Sequence, residues 1–178
     1  MDKKIRQILI FICGLIISIG FDQAAKNMAV THLKGKAPFV ILEGIFELYY
    51  SENRGAAFGM LQGRQGFFFL IATAVIIFVA WALWRMPAEK KYLPLTCSLF
   101  LLVSGAVGNL IDRLINGYVV DFLYFKLINF PIFNVADCYV VIATFLLIFL
   151  FFFYYSDEEL SFLSFGAKKD RSGEENQH

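Results

Sequence analysis

Long apolar runs separated by short polar clusters organise this chain. Crossing the hydrocarbon core of a bilayer takes ~20 mostly apolar residues. Four runs reach that length: about Ile5–Phe21, Gly66–Trp84, Tyr92–Ile111 and Phe133–Tyr155. Between the first two, Phe39–Leu42 and Ile45–Tyr50 flank Glu43-Gly44, which predicts two short strands around a turn. Phe46, Leu48 and Tyr50 alternate with Ile45, Glu47 and Tyr49, so one face can rest on lipid or protein. The expected fold is therefore a membrane all-α bundle of four transmembrane helices with a small β-cradle, about residues 39–60, between helices 1 and 2.

Composition agrees. Of 178 residues, 58% are hydrophobic and 17% charged, against ~45–50% and ~25% in soluble domains. The 21 phenylalanines suit lipid-facing helix surfaces. One integral domain is expected over residues 1–155, followed by a mobile tail over 156–178 whose Phe162, Leu163 and Phe165 touch the membrane surface. The first run follows Lys3, Lys4 and Arg6 like a secretory leader. It lacks a small-x-small cleavage site and leads straight into Asp22-Gln23, so a retained helix is expected.

Charge matters through placement. The net charge of +1 suggests no nucleic-acid partner. Basic residues are dense before the first run (Lys3, Lys4, Arg6), between the second and third (Arg85, Lys90, Lys91) and in the tail (Lys168, Lys169, Arg171). By the excess of Lys and Arg on cytoplasmic segments, both termini are expected to be cytoplasmic. The connections at about Asn27–Gln65 and Asp112–Ile132 then face outside. Cys13, Cys97 and Cys138 lie in apolar stretches without metal-ligand spacing and read as small buried hydrophobes. His32 and His178 are the only histidines, which argues against a histidine metal site or a Ser-His-Asp triad. No metal or cofactor is expected.

Polar groups near lipid need partners or water, and they fall into four clusters. Asp22 and Lys26, four apart, form an opposite-charge pair on one helix face. Asn53, able to donate and accept, opens the small-residue stretch Asn53–Gly59 with Gly55. Gly105, Asn109, Asp112 and Arg113 share one face at the end of the third run, and Gly105 permits close helix approach. Asp121 follows as a lone carboxylate among apolar neighbours, and Asn134 and Asp137 share a face at the start of the fourth run. A structural ion pair for Asp112 and Arg113, and a helix cap for Asn134, are the plainer alternatives. Asp112, Asp121 and Asp137 can meet at one membrane depth. Two carboxylates held together share a proton near neutrality, as hydrolysis of a peptide by activated water requires. Residues alone leave a hydrolase and a small proton-coupled transporter equally open.

Together these blocks resemble the lipoprotein signal peptidases (signal peptidase II). The resemblance rests on Asp22–Lys26, Asn53–Phe58, Gly108–Arg113 with Val119–Phe122, and Phe133–Asp137, in that order, and covers about Ile5–Phe153. Arg54 stands where that family commonly has Thr or another small residue. The resemblance implies an aspartyl endopeptidase that removes the signal peptide from diacylglyceryl-modified bacterial prolipoproteins just before the lipidated cysteine, without metal. It implies Asp121 and Asp137 as catalytic, Asn53, Gly55, Asn109, Arg113 and Asn134 as substrate-binding, and Asp22, Lys26 and Asp112 as supporting. It further implies the bacterial inner membrane, an active site on the outer side, membrane lipid and lipidated prolipoprotein as partners, and a monomer.

Overall fold

The third apolar run becomes the element on which the others pack. The computed structural model describes residues 2–55 and 65–164. Its long helices are α1 (Lys3–Leu33), α2 (Gln65–Arg85), α3 (Leu93–Asn116) and α4 (Val135–Phe149), the last continued by a π-helical turn at Leu150–Tyr154. All four are long and apolar enough to span a bilayer. Helix α3 touches α1, α2 and α4 and is the most enclosed. Large apolar side chains such as Ile17, Leu70, Trp84, Phe145 and Phe152 point outward. Water would penalise that surface and lipid would not.

Helix ends follow from local chemistry. Asp2 caps α1, accepting the Lys4 N–H at 2.9 Å. The Lys4 ammonium bonds the Leu83 and Met86 carbonyls at 2.6 and 2.7 Å, satisfying orphan acceptors at the end of α2. Gly117 ends α3 at φ 77°, a left-handed conformation that side chains disfavour.

Strands β1 (Phe39–Leu42), β2 (Phe46–Asn53) and β3 (Val119–Phe125) form one antiparallel sheet in that order. The expected strand pair is present, and a third strand from the α3–α4 connection joins it. Leu48 and Tyr50 rest on protein, packing against Ala29, Val120 and Phe122. A bulge lies between Leu48, opposite Leu123, and Ser51, opposite Asp121. The extra β2 residue changes which side chains share a face. Beyond it, Ser51 and Asn53, rather than Glu52, lie on the Asp121 side of the sheet.

Three expectations differ from the structure. Helix α1 does not stop at Phe21 but runs to Leu33, because Lys26 is neutralised within the bundle and need not end the helix. Cys13 is exposed on α1, and Cys97 and Cys138 are half-buried, so none is a fully buried hydrophobe. Residues Ser156–Ser164 are docked: Phe162 packs edge-on to the Tyr92 ring, the Tyr92 hydroxyl donates to the Glu159 carbonyl at 2.9 Å, and Lys91 pairs with Glu159. Ala56–Phe58, Phe165, Lys168, Lys169, Arg171 and His178 lie outside the described residues.

Candidate active site

Two backbone arrangements bring Asp121 and Asp137 to one place. Strand β3 carries Asp121, and Phe133 pairs with Leu123 through hydrogen bonds of 2.8 and 3.0 Å. This clamps the chain just before α4 against β3. Asn134 then caps α4, its oxygen accepting the Asp137 N–H at 3.0 Å while the Asp137 carboxylate accepts the Asn134 N–H at 3.1 Å. Such a reciprocal capping box fixes both side chains. The plain cap reading of Asn134 is thus realised.

Amides join the two carboxylates. Asn134 Nδ2 donates to Asp121 Oδ1 at 2.6 Å and to Asn109 Oδ1 at 3.1 Å. Asn109 Nδ2 donates to Asp137 Oδ1 at 2.8 Å. On its other side Asp121 Oδ2 accepts Asn53 Nδ2 at 2.9 Å, and Asn53 Oδ1 accepts the Gly55 N–H at 3.0 Å. Asp121 is 2% exposed, whereas Asp137 is partly open to the cleft. Burial, and then the charge of Asp137, push the Asp121 carboxyl up to about 7.

A charged cluster lies behind this row. Lys26, 3% exposed, contacts Asp22 at 2.9 Å, Asp112 at 3.1 Å and Asn109 Oδ1 at 2.9 Å. Its three N–H donors are thereby used. The remaining carboxylate oxygens hold the surrounding elements. Asp22 Oδ1 accepts the Ala136 N–H at 2.8 Å, at the start of α4, and Asp112 Oδ2 accepts the Val120 N–H at 3.0 Å. A buried ion cluster is tolerable when its polar atoms are satisfied in this way. Close packing makes room for it: a Cβ on Gly105 would meet the Ala136 carbonyl oxygen at 2.5 Å, and one on Gly108 would meet Asp22 at 2.6 Å. Gly105 approaches α4, as the sequence suggested.

Asp121, Asp137, Asn53, Gly55, Asn109 and Arg113 line one cleft of about 580 Å³. Its other wall is apolar, built by Phe130–Phe133 and by Val140, Val141 and Ile142 of α4. Arg113 reaches across, donating to the Asn109 carbonyl at 3.2 Å and the Gly55 carbonyl at 3.1 Å, with its guanidinium 4.3 Å from the Phe68 ring centre. Arg113 therefore makes no ion pair with Asp112, whose partner is Lys26. Asn134 stands behind the lining, fully buried.

Sequence reasoning assigned no role to Gln23, which donates to Asp112 Oδ1 at 3.0 Å and to the Gly108 carbonyl at 3.2 Å. Its position beside Asp22 was the available signal. Phe68, beneath the Arg113 guanidinium, carries no such signal, for a lone apolar side chain gives no pattern to read.

The chain matches the family model described as "Signal peptidase (SPase) II" over residues 14–153. A lipoprotein signal peptidase of Clostridioides difficile (strain 630) is 38% identical over 139 residues, 78% of this chain and 92% of that protein. One from Streptococcus thermophilus (strain CNRZ 1066) is 41% identical over 135 residues, 76% of this chain and 87% of that protein. Among solved structures, a bacterial membrane enzyme determined by the in meso method at 2.3 Å superposes with a TM-score of 0.72 at 31% identity, covering 81% of this chain and 88% of that one. A second, at 1.9 Å, gives 0.71 at 30% identity, covering 83% and 96%.

Proposed function

Because the chain belongs to the signal peptidase II family, we propose that Asp121 and Asp137 are the pair with which it hydrolyses its substrate. The protein is a multi-pass bacterial membrane peptidase that removes signal peptides from prolipoproteins. The observation carrying the proposal is the row Asn53–Asp121–Asn134–Asn109–Asp137, whose two carboxylates are linked through the Asn134 and Asn109 amides and open on one cleft.

Two carboxylates that line one cleft and act on each other's charge favour one shared proton. The ionised member takes a proton from water, and the resulting hydroxide attacks the scissile carbonyl carbon. The protonated member gives its proton to the carbonyl oxygen. As the C–N bond breaks, the pair gives its proton to the leaving amine and takes one back from a hydroxyl of the tetrahedral intermediate, and the signal peptide keeps the new carboxyl group. One water is consumed and the pair returns to its single proton. Arg113 uses two donors on carbonyls and has others for a peptide backbone, beside Gly55 and Asn109. Asp22, Lys26 and Asp112 act as positioning residues, holding Asn109 and the start of α4.

The substrate is proposed to carry a diacylglyceryl cysteine, with its acyl chains along Val141 and Ile142, which are exposed on α4 beside the cleft. The cleft lies at the helix ends opposite the dense Lys and Arg residues, which supports an active site at the outer face of the inner membrane with both termini cytoplasmic. The single chain carries a complete set of these groups, in keeping with a monomer. The site gathers its polar groups at one end of the bundle, which favours hydrolysis over transport along a path. The test is conversion of lipidated precursor by purified protein. Asp121→Asn and Asp137→Asn should each abolish it while the variants remain folded, and EDTA should leave the wild type active. Substantial turnover by either variant would refute the pair.

A further inference from the structure

At the opposite end of the bundle, α1 and the α2–α3 connection enclose a second cavity of about 310 Å³. Lys3, Arg6 and Lys90 stand exposed on its rim with one acid, Glu89. Ile10 and Leu93 form an apolar flank, and Leu93 is 44% exposed. Lys4 is already committed to the Leu83 and Met86 carbonyls, so the three rim cations are a separate group.

Gln7 lines the inner part of this cavity and is 8% exposed. Its Nε2 faces Met86 Sδ at 3.0 Å and the Pro87 carbonyl and Thr96 Oγ1 at 3.4 Å. The Pro87 carbonyl can only accept, which fixes the amide orientation. Gln7 Oε1 is consequently buried with no hydrogen-bond partner among the described residues. A buried acceptor left alone is uncommon and calls for a donor.

We propose that this cavity binds an anionic phospholipid whose headgroup carries a hydroxyl. The phosphate lies among Lys3, Arg6 and Lys90. The hydroxyl donates to Gln7 Oε1 after a small outward movement of the rim side chains. The first acyl carbons follow Ile10 and Leu93. A free phosphate would use the cations but not the apolar flank, and a zwitterionic headgroup would bring its own cation into a basic rim. The bound lipid would tie the start of α1 to the α2–α3 connection and hold this end at headgroup depth. None of this depends on the peptidase chemistry at the other end.

The full chain in a mild detergent micelle, at fixed moderate salt, is titrated with dioctanoyl phosphatidylglycerol, dioctanoyl phosphatidylcholine or glycerol phosphate while thermal unfolding is followed. Phosphatidylglycerol should raise the melting temperature saturably, and the other two should not at equal concentration. Lys3→Gln/Arg6→Gln/Lys90→Gln should weaken that response on the order of tenfold or more, since each surface cation adds to attraction for an anionic headgroup. Gln7→Leu should weaken it several-fold with the cations intact. Precursor cleavage in detergent verifies that both variants are folded. An equal response to phosphatidylcholine, an equal response to glycerol phosphate, or an unchanged titration in the triple variant would each overturn the proposal.

Discussion

Asn134 donates its side-chain amide to Asp121 across 2.6 Å, and the oxygen of that amide caps the helix carrying Asp137. One residue thus sets the spacing of the two carboxylates and the start of α4. The two tasks use different atoms, so they can be separated. Asn134→Ser keeps a capping oxygen and loses the donor to Asp121. It should lower the cleavage rate on the order of 100-fold and cost about 1–3 kcal/mol of stability, because the buried Asp121 Oδ1 loses its donor. Asn134→Ala loses both and should cost about 1 kcal/mol of stability in addition. Parallel thermal melts and cleavage rates check this, and a fully active Ser variant would show that the amide bridge is dispensable.

Among the described residues, Lys26 is the one cation paired with Asp22 and Asp112 in the buried cluster. Lys26→Met leaves two carboxylates in a dry site and should destabilise by roughly 3–5 kcal/mol. Adding Asp22→Asn and Asp112→Asn removes the uncompensated charge and should restore much of the lost melting temperature. Activity should stay low in the triple variant, because Asn109 loses the Lys26 donor that orients it. If Lys26→Met melts like wild type, the cluster is not what holds α1, α3 and α4 together.

Much of this arrangement was legible in the sequence. The four spans were readable because a bilayer demands long apolar runs, and Asp22, Lys26, Asp112, Asp121 and Asp137 stood out because such groups are costly there. The extension of α1 to Leu33 was not readable, since Lys26 finds Asp112 only through the fold. Strand β3 was missed although Val119–Phe125 is rich in β-branched and aromatic residues and follows Gly117. A strand reveals itself by its partner, and β2 lies far away in sequence. The bulge that selects Asn53 over Glu52 has no local signature. Nor has the link from Arg113 to the Gly55 carbonyl, because backbone acceptors are the same at every residue.

Gly105 sets the distance between α3 and α4. Gly105→Ala places a methyl 2.5 Å from both the Ala136 carbonyl oxygen and Val140 Cγ2. Overpacking of this kind costs roughly 1–3 kcal/mol. The larger effect should be on activity, because the start of α4 carries Asn134 and Asp137 and must move. Gly20→Ala is the control: its Cβ meets nothing within 4 Å, and helix propensity predicts a neutral or slightly stabilised protein. Equal melting temperatures and equal cleavage rates for the two variants would refute this account.

The Asp121 carboxyl, raised from 3.8 to about 7, ties stability to pH with a definite sign. The folded chain holds this proton more tightly than the unfolded chain. Its contribution is therefore complete below about pH 4, is lost as pH rises towards 7, and changes little above that. Asp121→Asn should remove this slope, so the difference in melting temperature between wild type and variant should vary with pH between about 4 and 7 and be constant above 7. Cleavage should fall above about pH 7 as the shared proton leaves the pair. Asp137→Asn removes the second cause of the shift but not the first, which is burial. In that variant the stability slope should end at a lower pH than in wild type while still extending above 3.8. A slope unchanged by Asp137→Asn would mean that the two carboxylates titrate independently.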